Sequence, residues 1–188
     1  MVRAQGLSID GRESKRGGFG GAMTAHREES FEDAIEAALV RSGWHRGQCS
    51  GYDKELGLDL DQLWAFIGAT QNDEWERLCA FYGGEVSEAQ RRFAQYVARQ
   101  IDERGALDVL RHGVKDRGIL IQLAYFRPAH TIADDALELY RKNRLSVTRQ
   151  LSYSTKEPSK TLDLVLFVNG VPVATAELKN QLTGQTVE

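Results

Sequence analysis

The chain has 188 residues, of which 41% are hydrophobic, and a formal net charge of −3. This is enough apolar material for one buried core, and the charge excludes a uniformly basic nucleic-acid binder while leaving room for a local basic track. Cys49 and Cys79 form no CxxC pair, no disulfide framework or zinc site is indicated, and no apolar run reaches the length of a membrane span or a signal peptide, so a cytoplasmic protein is expected.

Residues 1–25 contain "SKRGGFGG" with little apolar periodicity and read as a flexible arm. Residues 26–188 read as one domain. From Glu28 the pattern is helical, with Phe31, Ile35, Ala38 and Leu39 at helical spacing and Gly43 as the stop. Further helices are predicted at Leu60–Gly68, Asp73–Tyr82 and Ser87–Arg104, the last opened by the capping-box pattern Ser87-Glu88-Ala89-Gln90. Trp64, Phe66, Trp75, Phe81, Phe93 and Tyr96 fall mostly on apolar helical stripes, which assigns them to core rather than to base stacking.

After Gly105 the period changes. "ALDVLRHG" predicts a short helix, "ILIQLAYF" a buried strand ended by Pro128, and Ile132–Lys142 another helix. "RLSVTRQLSYS" alternates, with Leu145, Val147, Leu151 and Tyr153 on one face, Ser146, Thr148, Gln150 and Ser152 on the other, and Arg149 interrupting the apolar side. Charge is unevenly spread. Asp53–Glu88 is acidic, whereas Arg141, Lys142, Arg144, Arg149, Lys156 and Lys160 face Glu157 alone in the stretch before the last predicted hairpin.

That hairpin is "TLDLVLFVNGVPVATAELKNQ", two apolar strands joined by Asn169-Gly170. Apolar residues on both faces suggest a central strand pair, where a carboxylate is costly unless it is wet or paired. With a strict two-residue turn Asp163 would oppose Ala176 and point away from Glu177. A three-residue loop or one bulge sets Asp163 opposite Glu177, and the bulged form is predicted. Glu177 and Lys179 leave the same face of their strand. Two converging carboxylates make a hard oxygen site suited to Mg²⁺, and an ammonium beside it can orient an attacking water. Taken alone, the D…ExK pattern is common by chance and better describes an ordinary ion pair at a sheet end.

The segments "FEDAIEAALVRSGW", "FIGATQNDEW", "VLRHGVKDRG", "NRLSVTRQLSYS" and "LDLVLFVNGVPVATAELKN" resemble the N-terminal nuclease domain of the restriction (R) subunit of type I restriction-modification enzymes, a branch of the PD-(D/E)xK nuclease superfamily, from about Glu28 to the last residue. The resemblance implies a mixed α/β fold, with a restriction-endonuclease-like core truncated after the ELK strand and an inserted helical region. It implies that Asp163 and Glu177 ligate catalytic Mg²⁺ and that Lys179 positions or polarises the nucleophilic water. Glu32 is the best match for an acidic first-helix residue near the metal, with Glu28 its rival. Leu162 stands where the motif's name has proline, which leaves the carboxylate chemistry intact.

The Gln and Tyr motif expected on the following helix does not occur before Glu188, and no GxxxxGK[ST] phosphate loop is present. The resemblance therefore implies an N-terminal fragment, weakly active or inactive alone, whose ATP-driven motor lies in further sequence. The expected activity is that of a type I site-specific deoxyribonuclease cutting double-stranded DNA, with modification and specificity subunits as partners. The basic run Arg141–Lys160 would contact phosphates or form a solvated strand edge. Two other readings fit: a non-catalytic docking module between motor and methyltransferase, favoured by the acidic helical region, and a stand-alone nuclease such as a junction resolvase.

Overall fold

Helix α1 spans residues 31–41 in the computed structural model, which describes residues 31–128 and 134–178. It stops where the sequence predicts, at Gly43, whose φ of 93° suits a residue without a Cβ. Two short strands follow, β1 (His45–Arg46) and β2 (Tyr52–Asp53), and then β3 (Leu58–Asp59), antiparallel to β2. Four helices come next: α2 (Leu60–Thr70), α3 (Asn72–Phe81), α4 (Val86–Arg104) and α5 (Ala106–His112). A small ribbon of β4 (Val114–Asp116) and β5 (Ile119–Ile121) precedes α6 (Asp134–Arg141). The chain then enters its long strands, β6 (Leu145–Ser152), β7 (Thr161–Val168) and β8 (Val171–Ala176). The main sheet has the order β1-β6-β7-β8, parallel between β1 and β6 and antiparallel elsewhere, so the protein is mixed α/β with a helical region between α1 and the sheet. The predicted arm, residues 1–25, and the start of the first helix lie outside the described residues.

The helical region closes on an aromatic core. Trp64 and Trp75 have ring centroids 5.0 Å apart, and Phe93 lies 5.7 Å from Trp75, with Phe66, Leu63, Leu78 and Val97 fully buried around them. This is the core role expected of those aromatics. Phe81 departs from it and is 59% exposed, because it is the last residue of α3 and projects past the packed stripe. Helix α4 departs at its first turn. Glu85, not Ser87, caps it, accepting the N–H groups of Ser87 and Glu88 at 3.1 and 2.6 Å and replacing the expected capping box by a carboxylate cap two residues earlier.

The Glu88 side chain takes two arginine partners on the same helix. Hydrogen bonds from Arg91 and then Arg92 hold its carboxyl down at about 2, against an ordinary value of 4.5. A carboxylate depressed on folding contributes stability that is complete above the ordinary value and lost as pH falls through the folded one. An NMR titration of the Glu88 side-chain carbon should therefore show its midpoint near 2; a midpoint at the ordinary value would mean that the two arginine contacts do not persist in solution.

The segment "ILIQLAYF" makes a much shorter strand than predicted, and it pairs with β4 rather than joining the main sheet. Side-chain amides take the backbone bonds that a ladder would use. Gln71 accepts the Gln122 N–H at 2.6 Å and donates to the Gln122 carbonyl at 2.9 Å. Asn169 donates to the Leu123 carbonyl at 2.8 Å, while Asn143 accepts the Tyr125 N–H and donates to the Tyr125 carbonyl. A backbone satisfied in this way has no need of a strand partner.

Two expectations about the sheet are corrected. The face of β6 read as polar is covered too: Ser146 and Thr148 are 0% and 2% exposed, with Gly47 so close to Thr148 that a Cβ there would stand 2.0 Å from its Oγ1. The hairpin is not a central pair covered on both sides. Strand β7 is central, but β8 is an edge strand among the described residues, with Val173 to Ala176 exposed.

Candidate functional site

Asn169 and Gly170 form the tight turn between β7 and β8, with φ of 52° and 84°, the pair of positive values that a two-residue hairpin turn needs. Asn169 is fully buried, accepts the Arg144 N–H at 2.7 Å and donates to Asn143 and to the Leu123 carbonyl, each at 2.8 Å. The turn therefore anchors the hairpin to the rest of the protein. The parity of the second strand then changes. Phe167 pairs with Pro172 but Leu166 pairs with Ala174, leaving Val173 as an extra residue in a β-bulge. Pro172 fits there because it has no N–H to give.

The bulge sets Leu164 opposite Ala176, so one step further along the same register Asp163 faces Glu177. The strand ends meet at that point: the Leu178 N–H donates to Asp163 Oδ2 at 2.7 Å. On the other side of β7, the register of Arg149 with Leu164 and of Leu151 with Leu162 leaves Gln150 facing Asp163. Side chains of directly opposed residues share a face, so Gln150, Asp163 and Glu177 form a row across three strands. Glu177 is exposed, and Lys179 and Glu28 lie outside the described residues.

Helix α1 brings a third acid to this row. Glu32 is 5% exposed, and its Oε1 accepts a hydrogen bond of 2.7 Å from Gln150 Nε2, which also donates to Asp163 Oδ1 at 3.3 Å. Thr161 Oγ1 steadies the amide by donating to Gln150 Oε1 at 3.1 Å. One amide thus links the carboxylates of Glu32 and Asp163. Gln150 has φ of 47°, a left-handed value inside a strand, and its pairing with Asp163 is missing from the ladder. A non-glycine residue held in that region costs on the order of 1–3 kcal/mol and persists only where its surroundings insist on it, as the three side-chain hydrogen bonds do here.

The other oxygen of Glu32 is met by Arg149, whose Nε and Nη2 each lie 3.2 Å from Oε2. Arg149 also pairs with Asp33, and more loosely with Glu36 at 3.7 Å. Burial opposes the charge on Arg149, but the Glu32 and Asp33 carboxylates outweigh it and hold the guanidinium above its ordinary pKa. The residue that interrupts the apolar face of β6 thus helps to bind the sheet to the first helix, beside Gln150.

The basic run does not converge. Arg144 Nε donates to Gln62 at 2.8 Å, Lys142 Nζ to the Ala69 carbonyl at 3.2 Å, and Lys160 pairs with Glu157 at 2.8 Å. Only Arg141 and Lys156 are exposed without such a side-chain contact among the described residues.

Whether these groups suit a hard divalent cation can be judged from the donor set. Among the described residues no three His, Cys, Asp or Glu side chains converge closely enough to hold a metal by themselves. Mg²⁺ asks for less: it binds through one or two carboxylates and keeps several waters. Asp163 with Glu32 or Glu177 meets that need, with oxygen donors throughout. Gln150 is the residue that sequence reading passed over, although the alternation of the strand put it on the polar face with Ser146, Thr148 and Ser152.

Residues 119–188, the segment that contains β5 to β8 and every residue of the D…ExK pattern, match the family described as type I restriction enzyme R protein N terminus. The match is shorter than the stretch over which the quoted segments resemble that subunit. No curated protein and no solved structure matches the chain significantly.

Proposed function

We propose that this chain carries the DNA-cleaving site of a type I restriction enzyme R subunit, with Asp163 and Glu177 as Mg²⁺ ligands, Glu32 beside them, and Lys179 as the group that orients the nucleophilic water. The observation that supports this most is the bulge at Val173, which lies within the matched segment and turns Asp163 toward Glu177. An isolated ion pair would not need that change of parity.

Held by Asp163 and Glu177, a Mg²⁺ ion would supply positive charge to the phosphoryl group under attack. The residues of the chain do the rest. Asp163 is fixed by the Leu178 N–H on one oxygen and by Gln150 on the other, so its carboxylate is oriented before a ligand arrives. Glu177, on the solvent side, is open to an incoming phosphodiester. Lys179, two residues on in sequence, is assigned the orienting of the attacking water, and its ammonium offsets charge as the water's oxygen attacks phosphorus, the sugar oxygen departs and the water's proton passes to solvent. No base needs to be read, so the cut is independent of sequence, and recognition falls to specificity and modification subunits in the cytoplasm. ATP is used by a motor outside this segment. The docking-module reading draws on one observation: α2–α5 pack into a large core shared with β3–β5 and Val171 of the hairpin, while no side chain of these helices hydrogen-bonds to Asp163.

The test is Lys179→Ala in the assembled enzyme. It keeps both carboxylates and removes the ammonium, and removing one such electrostatic group slows chemistry by about a hundredfold to a thousandfold. ATP turnover on unmodified DNA should persist while double-strand breaks nearly vanish. Normal cutting would remove Lys179 from the mechanism, and equal loss of both activities would favour docking over catalysis.

A further inference from the structure

Residues 89–117 carry seven bases (Arg91, Arg92, Arg99, Arg104, Arg111, Lys115 and Arg117) against four acids (Asp102, Glu103, Asp108 and Asp116), in a chain whose net charge is −3. The fold gathers three of these arginines around one polar cleft of about 310 Å³ between α4 and the β4–β5 turn, lined by Arg92, Arg99, Arg117, Tyr82, Tyr96 and Asp116. We propose that this cleft binds backbone phosphates of double-stranded DNA, a contact separate from the Asp163 row.

The arginines are set in place before any ligand arrives. Arg117 stands 4.8 Å and Arg92 5.9 Å from the centroid of the Tyr82 ring, and Arg99 stands 5.1 Å from that of Tyr96. A guanidinium resting on an aromatic ring loses less freedom on binding and keeps its N–H edge for an anion. Arg117 is aimed by the turn itself: its φ of 50° and the 84° of Gly118 make a tight hairpin that puts Arg117 at the tip of the ribbon. The tyrosines are fastened in turn, Tyr96 by donating to the Lys115 carbonyl at 2.9 Å and Tyr82 by donating to Asp116. That bond engages the one carboxylate in the cleft.

The charge left over is positive. Glu88 is shared by Arg91 and Arg92, so one acid serves two guanidinium groups, and Arg99 and Arg117 have no salt-bridge partner among the described residues. Planar guanidinium groups with free edges match phosphate oxygens, whereas lysines would serve as point charges. A polymer supplies several phosphates at once, and the basic run near the hairpin is largely committed to internal contacts. The choice of DNA as that polymer rests on the proposed nuclease reading.

The experiment measures binding of the chain to a short fluorescent DNA duplex by anisotropy over a salt series, with a chelator present so that cleavage plays no part. In the Arg99→Gln/Arg117→Gln double variant affinity should fall at least about tenfold, and the slope of log affinity against log salt should shrink by about one for each phosphate that the variant no longer neutralises. The Arg99→Lys/Arg117→Lys variant, which keeps the charge, should retain most of the slope; thermal melting checks that each variant is folded. Wild-type affinity and slope in the folded glutamine variant would overturn the proposal. So would a cleft that takes inorganic phosphate while duplex binding is indifferent to the substitutions. Failure here with cleavage still abolished in Lys179→Ala would leave the nuclease reading standing, and the reverse pair of results would remove the nuclease reading alone.

Discussion

Asp163→Asn in the assembled enzyme should lower double-strand cleavage by about a thousandfold or more. A metal placed against the phosphoryl group is worth several kcal/mol of transition-state stabilisation, and each 1.36 kcal/mol is a factor of ten. The substitution removes the charge and one long contact, the 3.3 Å hydrogen bond from Gln150 Nε2 to Oδ1, which an Asn amide nitrogen in that place cannot accept. The Asn oxygen can still accept the Leu178 N–H that Asp163 Oδ2 accepts at 2.7 Å, so the junction of β7 and β8 should hold. Calorimetric titration with Mg²⁺ or Mn²⁺ should show weakened binding, and thermal melting should be nearly unchanged. Cleavage at the wild-type rate would dismiss Asp163 as a metal ligand and return the D…ExK pattern to an ion pair at a sheet end.

Gly170→Val should have the largest effect on stability, about 2–5 kcal/mol. A Cβ at this position would stand 2.2 Å from the Asp59 carbonyl oxygen and 2.9 Å from the Leu63 nitrogen. Both neighbours are backbone, so neither can swing aside. The residue also has φ of 84°, which costs a side chain about 1–2 kcal/mol, and forcing extra atoms into a packed site adds about 1–3 kcal/mol. The same junction includes the bond of 2.9 Å from the Asp59 N–H to the Gly170 carbonyl, so displacing the turn also loosens the start of α2. Asp59 is itself buried there, and desolvation pushes its carboxyl above the ordinary range despite the opposing Gln62 N–H. Urea unfolding should show a lower midpoint with an unchanged slope. A loss below about 1 kcal/mol would mean that the hairpin turn does not dock on α2 in solution.

Much of the architecture was legible in the chain because its signals are local. Helical spacing ended by Gly43, the apolar stripes of α2, α3 and α4, and Asn169-Gly170 between two apolar runs each depend on residues within a turn or two of one another. Parity was legible as well. Asp163 and Glu177 could share a face only through a three-residue loop or one bulge, and the structure has the bulge, at Val173.

Tertiary structure decided where the extra residue went and what stands beside Asp163. Pro172 was a hint of irregularity, but the turn stayed at two residues because Asn169 is bound on all sides by Arg144, Asn143 and Leu123, which moved the bulge further along the strand, to Val173. The same kind of remote bond kept "ILIQLAYF" out of the main sheet, since Gln71, Asn143 and Asn169 reach it from other elements. Arg149 counted as a phosphate-binding base in sequence and became the partner of Glu32, more than a hundred positions away; Gln150 counted as a polar strand residue and became the link between Glu32 and Asp163. Charge and pattern say which residues can ionise or pair. Which partner each one meets depends on contacts distant in sequence, and only the folded chain brings those together.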